Sequence, residues 1–151
     1  MVYEVRFARP ADIEAISQVI LAALYASNAR DYPIEVIAQV AANFTPQAVR
    51  ELLKRRSVLV ATYEQAVIAT AALETDLVRS VFVSPGLQGR GVGRLLMHEI
   101  ERLARESGVA ALSVPSSVTA EAFYTRLGYH PVREVYHGDE RTVVMCKTLQ
   151  D

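Results

Sequence analysis

The chain has 151 residues, of which 51% are hydrophobic and 22% charged, as expected for a globular protein with a substantial buried core. Its net charge of −1 excludes the basic excess typical of proteins that bind nucleic acid or acidic membranes. The single cysteine, Cys146, excludes an internal disulfide and lies in an apolar run that favours a buried structural thiol. No apolar run reaches membrane-spanning length and no secretory signal pattern is present, so we expect a cytoplasmic protein.

The spacing of apolar residues predicts strands and helices in the order β-α-α-α-β-β-β-α-β-α-β-β. Glycine, proline and capping residues separate these elements, for example Thr45 as an N-cap before Pro46. In chain order the predictions are a strand at 3–7, a helix opened by Pro10 and Asp12, helices at 34–42 and 46–55, strands at 57–63, 66–75 and 77–83, a helix at 92–106, a strand at 109–114, a helix at 119–126, and strands at 131–136 and 141–149.

The connections between these elements indicate how the strands pair. Short turns at Glu64-Gln65 and Gly138-Asp139 join antiparallel strands, whereas two strand–helix–strand crossovers favour a parallel pair in the middle of the sheet. We therefore expect one α/β domain over residues 1–151, with a mixed, mostly antiparallel sheet and helices on both faces. The final hairpin strands offer an edge at which a homodimer could form.

The most informative segment is Val81-Phe82-Val83-Ser84-Pro85-Gly86-Leu87-Gln88-Gly89-Arg90-Gly91-Val92-Gly93-Arg94, where a strand leads through a glycine-rich turn into a helix. The first amides of a helix have no partner within the helix and lie at the positive end of its dipole, so they bind anions, above all phosphate. The spacing fits neither a P-loop nor a dinucleotide fingerprint. A glycine-rich turn of this kind can also be a plain strand–helix connector.

The pattern Gln88-x-x-Gly91-x-Gly93 after Val-x-Pro resembles the acyl-CoA signature of the GNAT superfamily of N-acetyltransferases. A later block, Ser117 to Tyr129, resembles a second motif of that family, in which a helix carries Phe-Tyr and ends at Leu-Gly-aromatic. The resemblance covers roughly residues 3 to 149. It implies the GNAT fold, with the central parallel pair splayed at the cofactor site, and it implies acetyl-CoA as the acyl donor.

The resemblance also implies which residues hold acetyl-CoA. Backbone amides at Phe82 and Val83 would face the pantetheine and the thioester. The full set of implied contacts is Val81, Phe82, Val83, Gln88, Gly89, Arg90, Gly91, Val92, Gly93, Arg94, Ser117, Ala120 and Phe123. Ser117 stands where many members have Asn, so it either contacts pantetheine or, like Ser116, caps the following helix.

Four residues are candidates for proton transfer. Tyr124 falls on the position that family members use as the general acid toward the CoA thiolate, although a tyrosine there can also simply pack its ring. Glu74 and Asp76 lie just before the motif strand and are candidate bases, but the usual carboxylate position falls on Leu77. His137 or a water could take the amine proton instead.

The remaining polar residues leave several alternatives open. Arg79 either points into the cleft, where it could bind a substrate carboxylate or pair with Asp76, or lies on an outer edge. Tyr25, Asp31 and Tyr32 form either a pocket for a cationic amine or an ordinary loop.

His98 and Glu101 on the long helix are expected to face solvent. The scattered histidines have no ligand spacing, so no metal site is predicted.

These observations predict an enzyme that transfers acetyl from acetyl-CoA to a primary amine. We expect the acceptor to be a small molecule, because the sequence shows no extra recognition domain and no strongly acidic groove. A protein N-terminus or lysine is an alternative acceptor. The other class of function is an acyl-CoA-binding module or sensor that performs no transfer.

Overall fold

A seven-stranded sheet runs through the computed structural model, which describes residues 2–149. Its strands are β1 (Glu4–Phe7), β2 (Ser57–Tyr63), β3 (Ala66–Glu74), β4 (Leu77–Val83), β5 (Ala111–Ser117), β6 (His130–His137) and β7 (Glu140–Thr148). Their order is β1-β2-β3-β4-β5-β7-β6, and only β4 and β5 are parallel. The predicted mixed sheet with a central parallel pair is confirmed.

Helices cover both faces of the sheet, as predicted. They are α1 (Ile13–Ala26), α2 (Ile34–Ala41), α3 (Pro46–Arg55), α4 (Val92–Glu106) and α5 (Glu121–Arg126). Successive strand residues point to opposite faces, so Val58 and Val60 pack with α1, α2 and α3, whereas Leu59 and Ala61 pack with α4. Two apolar cores therefore lie on either side of one sheet. Within residues 2–149, none of the helices has both the length and the apolar character needed to cross a membrane.

Local signals place most element boundaries where the sequence predicted them. The Thr45 side chain accepts a hydrogen bond from the Ala48 amide at 3.2 Å, and α3 begins at Pro46. The largest difference is in β5, which runs from Ala111 to Ser117 instead of from 109 to 114, and α5 begins at Glu121 instead of at 119. Pro115 is tolerated inside this strand because β5 pairs along its length only with β7, so one side of its backbone has no ladder to complete.

The central strands β4 and β5 separate soon after they meet. They share one register pair, Leu77 with Ser113, and the Ser113 amide donates to the Asp76 carbonyl at 3.0 Å. Strand β4 also contains a bulge. Thr70 of β3 pairs with Phe82 and Ala72 pairs with Arg79, so two residues of β4 lie opposite one residue of β3. The bulge and the separation together open a gap in the middle of the sheet.

Ser80 forms the bulge with a φ of 53°, a left-handed conformation that a residue other than glycine rarely adopts. Such a conformation costs on the order of 1–3 kcal/mol and persists only where the surroundings hold it. Arg56 provides one support, since its Nη1 donates to the Ser80 Oγ at 3.2 Å. Bulges often occur beside functional sites, where they redirect the backbone.

Glu101 does not face solvent, so that prediction was wrong. Its side chain is buried on α4, where Oε2 accepts from the Tyr129 hydroxyl at 2.9 Å and Oε1 accepts from Lys147 Nζ at 2.9 Å. This buried ion pair joins α4 to β7 and to the segment after α5. His98 is exposed, as expected.

Two expectations about the C-terminal strands can be compared with the structure. Cys146 is partly buried, with its Sγ 3.2 Å from the Ser113 Oγ, which agrees with a structural position for the thiol. The sheet edge is formed by β6, whose Val132 and Tyr136 are exposed, because β7 lies between β5 and β6. The homodimer at this edge stays a prediction.

Candidate active site

A cleft of about 1570 Å³ occupies the gap between β4 and β5. Its lining comes from both faces of the sheet, with Gly91 and Phe123 on the side of α4 and α5, and with Ile37 and Phe44 on the side of α1–α3. Pockets for one drug-sized ligand usually measure about 300–1,000 Å³. The cleft is therefore large enough for two reactants to meet within it.

The glycine-rich turn presents free backbone amides at the start of α4. Gly89 and Gly91 have φ values of 78° and 85°, and Gly91 is the N-cap of the helix without a side-chain capping bond. The first helical bond runs from the Leu95 amide to the Gly91 carbonyl at 3.0 Å. Within residues 2–149 the amides of 92–94 have no backbone acceptor. This arrangement fits a phosphate or diphosphate group.

Two contacts hold this turn in position. The Gln88 Nε2 donates to the Ser27 Oγ at 3.0 Å and to the Val83 carbonyl at 3.3 Å, which ties the turn to the end of α1 and to β4. A Cβ added to Gly93 would lie 3.1 Å from the ring of Phe123, so a larger residue there would require this ring to shift by a few tenths of an ångström. Gln88 thus braces the turn through its side chain.

Strand β4 turns one edge of its backbone toward the gap. The Ser84 amide donates to the Ile68 carbonyl of β3 at 2.9 Å. Peptide groups alternate in direction along a strand, so the Val83 amide points away from β3 and into the gap. The Phe82 amide then points toward β3. Of the two amides expected to face the cofactor, the structure favours Val83.

Tyr124 lies in the wall of the cleft with 4% of its surface exposed. Its ring packs edge-on against Phe123 and Tyr129, at centroid distances of 5.0 and 5.7 Å. No residue in the described range 2–149 forms a hydrogen bond with its hydroxyl, whereas the Tyr129 hydroxyl donates to Glu101. Burial raises the pKa of Tyr124, so the phenol keeps its proton at neutral pH.

The other expected cofactor contacts differ in their placement. Six of them line the cleft, namely Val81, Phe82, Val92, Arg94, Ser117 and Ala120. Arg90 is exposed and lies outside the lining. The Ser117 Oγ accepts from the Ala120 amide at 3.2 Å, and the Ser116 Oγ donates to the Ser117 carbonyl at 2.7 Å. Of the two roles left open for Ser117, capping of the turn before α5 is the one that its contacts support.

The comparisons with known proteins agree with this geometry. Residues 28–148 match the family described as "Acetyltransferase (GNAT) domain". The chain belongs to the GNAT acetyltransferase family. A crystal structure described as a GCN5-related N-acetyltransferase, aminotransferase class II, from Rhodopseudomonas palustris is 25% identical, with a TM-score of 0.91 over 99% of both chains.

Two further structures share the fold at lower identity. The PaiA N-acetyltransferase from Thermoplasma acidophilum, solved in complex with coenzyme A, is 16% identical, with a TM-score of 0.84 over 99% of this chain and 100% of that chain. The yncA structure from Salmonella typhimurium, solved with its cofactor acetyl-CoA, is 22% identical, with a TM-score of 0.67 over 100% of this chain and 96% of that chain.

The carboxylates predicted as bases lie away from the cleft of this GNAT domain. Glu74 and Asp76 are both absent from the described lining residues. The Glu74 Oε1 lies 3.2 Å from the Arg56 Nε and 3.6 Å from the Arg79 Nε, and Asp76 is exposed in the turn before β4. These positions do not support direct proton abstraction by either carboxylate. His137, at the end of β6, does line the cleft.

Tyr32 fixes the loop between α1 and α2 to the rest of the GNAT domain through hydrogen bonds. Its hydroxyl donates to the Arg141 carbonyl at 2.6 Å and accepts from the Val118 amide at 2.7 Å. Burial raises the pKa of Tyr32. Tyr25 is exposed and lies outside the lining, although Asp31 borders the cleft. The structure therefore favours the ordinary loop over a cation-binding pocket. The long-range bonds of Tyr32 have no local signal in the sequence.

Proposed function

We propose that this GNAT domain transfers an acetyl group from acetyl-CoA to the primary amine of a small molecule, by direct attack in a ternary complex. The observation that carries the proposal is one cleft that contains both the free amides of 92–94 and the unbonded hydroxyl of Tyr124. The presence of coenzyme A in the PaiA structure and of acetyl-CoA in the yncA structure supports the choice of donor.

The residues around the glycine-rich turn fit the donor. The amides of 92–94 would hold the diphosphate, and the Val83 amide would hold the part of the donor that passes between β4 and β5. When bound, acetyl-CoA supplies an acetyl group: a carbon–nitrogen bond to the amine forms as the carbon–sulfur bond breaks, the nitrogen loses a proton and the sulfur gains one. The domain's own task is to align the two reactants and to move these two protons.

Tyr124 is the proposed general acid. Its hydroxyl borders the cleft, keeps its proton because burial raises its pKa, and has no competing hydrogen bond within residues 2–149. A phenol of this kind can donate to a departing thiolate without first changing its own charge. The proton on the amine passes to water at the mouth of the cleft or to His137.

A screen of amines with acetyl-CoA tests the proposal, with release of free thiol as the signal and an amine-free reaction to subtract hydrolysis. Calorimetry with coenzyme A measures donor binding separately. We expect donor binding and acetylation of at least one class of amine. Binding without turnover of any small amine, peptide N-terminus or lysine would show a binding module instead. If coenzyme A does not bind at millimolar concentration, the proposal fails entirely.

A further inference from the structure

Two arginines in the wall of the cleft, on the side of α1–α3, share one carboxylate that lies outside the lining, that of Glu74. Arg56 follows α3, Arg79 lies on β4, and both line the cleft. The Glu74 Oε1 is within 3.2 Å of the Arg56 Nε and 3.6 Å of the Arg79 Nε. Since each guanidinium carries a full positive charge and Glu74 supplies one negative charge, the cluster has a net positive charge.

The two guanidinium groups are held in place but incompletely paired. The Arg56 side chain is only 12% exposed and donates to both Glu74 and Ser80. Burial lowers the pKa of Arg56, the Glu74 charge opposes this effect, and the Arg79 charge adds to it, which reflects how close the two cations lie. The Arg79 Nε is buried without a hydrogen-bond partner in the described range 2–149. Because this atom has no accessible surface, a ligand in the cleft would bind the terminal nitrogens of Arg79, which form no hydrogen bond within residues 2–149.

The surroundings of the two arginines are mainly apolar. This lobe of the cleft is lined by Leu24, Val36, Ile37, Val40, Phe44 and Phe82. Among the described carboxylates that line the cleft, Glu51 on α3 is 3.2 Å from Lys54, Asp31 accepts from the Thr119 hydroxyl at 2.8 Å, and Glu140 lies at the start of β7. The lobe therefore offers positive charge and apolar surface, whereas a site for a polycation would need free carboxylates.

We propose that the acceptor amine carries an anionic group, a carboxylate or a phosphate, which Arg79 and Arg56 bind in this lobe. The planar guanidinium of arginine matches both anions through paired N–H donors. Arg79 is the main contact, because its side chain is 37% exposed and Arg56 is already occupied with Glu74 and Ser80. The assignment of an acceptor rests on the proposed acetyl transfer.

Matched pairs of amines test the proposal. The pairs are amino acids with their amides, ω-amino acids with their amides, and phosphoethanolamine with ethanolamine, each assayed by thiol release. We expect kcat/KM to be at least about tenfold higher for the anionic member of the preferred pair, and that pair identifies carboxylate or phosphate as the anion. Equal or faster turnover of the neutral members would overturn the proposal and leave acetyl transfer intact.

The variant Arg79→Gln gives the second measurement. We expect KM for the anionic amine to rise about 10- to 100-fold, with little change in kcat or in the KM for acetyl-CoA, and no change for a neutral amine. Arg79→Lys should recover part of the affinity, because it keeps the charge but loses the paired donors. Arg50→Gln, at an exposed position on α3 outside the cleft, is the matched control.

A binding experiment separates this proposal from acetyl transfer itself. Inorganic phosphate and acetate are titrated by calorimetry into protein that is already saturated with coenzyme A, so that the amides of 92–94 are occupied. Binding of either anion to the wild-type protein and its loss in Arg79→Gln would support the anion site, even in a protein that performs no transfer. The same binding in both proteins, or in neither, would overturn it.

Discussion

The replacement Tyr124→Phe removes one oxygen atom whose place in the structure is well defined. The hydroxyl borders the cleft and forms no hydrogen bond within the described residues 2–149, while the ring keeps its contacts with Phe123 and Tyr129. The substitution therefore removes the proposed proton donor without removing a hydrogen bond from the fold.

The expected effects on stability and on rate are of very different size. With no hydrogen bond to lose, the free energy of unfolding should change by less than about 0.5 kcal/mol, and relief of the desolvated hydroxyl could raise it. General acid catalysis contributes about 10²–10⁴-fold to a rate, so kcat should fall by at least about tenfold. The KM for acetyl-CoA should stay nearly constant, because the free amides of 92–94 are untouched.

Tyr129→Phe is the matched control, because it removes the same atom from the neighbouring ring. Here the hydroxyl donates to the buried Glu101 at 2.9 Å. Loss of a hydrogen bond to a charged group costs about 1.5–3 kcal/mol, which corresponds to a fall in Tm of roughly 3–12 °C for a domain of this size. Since Tyr129 lies outside the cleft lining, kcat should change little.

Two assays read out the pair: thiol release with saturating acetyl-CoA for kcat, and urea unfolding for stability. The expected result is a crossed pattern, in which Tyr124→Phe loses rate and keeps stability while Tyr129→Phe loses stability and keeps rate. An unchanged kcat in Tyr124→Phe would remove the assignment of the general acid. An equal loss of kcat in both variants would mean that the rate follows packing and not proton donation.

Three other predictions concern the turn, its neighbour and the buried phenols. Gly91→Ala should lower the free energy of unfolding by about 1–2 kcal/mol and raise the KM for acetyl-CoA, because φ is 85° there, whereas Gly86→Ala, with open space and no positive φ, should do neither. Ser117→Ala should cost about 1 kcal/mol in urea unfolding with little change in that KM; a raised KM at unchanged stability would show a pantetheine contact instead. In a titration followed at 295 nm, Tyr124 and Tyr129 should ionise only after the exposed tyrosines, because burial raises the pKa of both. The free energy of unfolding should fall as the pH rises above about 10, since the folded state then holds more protons than the unfolded one. Ionisation of all tyrosines together in the native state would contradict this.

The order of strands and helices was predictable because local residues mark their ends. Thr45 and Pro46 set the start of α3, and the two-residue turn at Glu64-Gln65 set the hairpin of β2 and β3, where both residues have positive φ. The glycine-rich turn at the start of α4 was predictable for the same reason. Glycines at defined spacing report where backbone amides become available, and this information is contained in one short segment.

Features that depend on distant residues could not be predicted in this way. The position of Glu101 on α4 suggested a solvent-facing side chain, but Lys147 and Tyr129, brought close only by the fold, make its burial possible. The bulge at Ser80 is not marked by a glycine in the sequence. The hydrogen bond from Arg56 that supports it comes from a residue distant in the chain. Side-chain pairs of this kind have no periodic signal in a single sequence.

The difference between local signals and contacts of distant residues also explains why the donor of this GNAT domain is easier to infer than its acceptor. The proposed donor side is made of backbone, namely the amides of 92–94 and of Val83, which any residues with the right φ values would present. The proposed acceptor side is made of side chains, where Arg56 after α3 and Arg79 on β4 meet at Glu74. Replacement of one such side chain changes the charge of that lobe without any change in the fold. The identity of the acceptor therefore depends on those few side chains, and substitutions at Arg79 are the most direct way to find it.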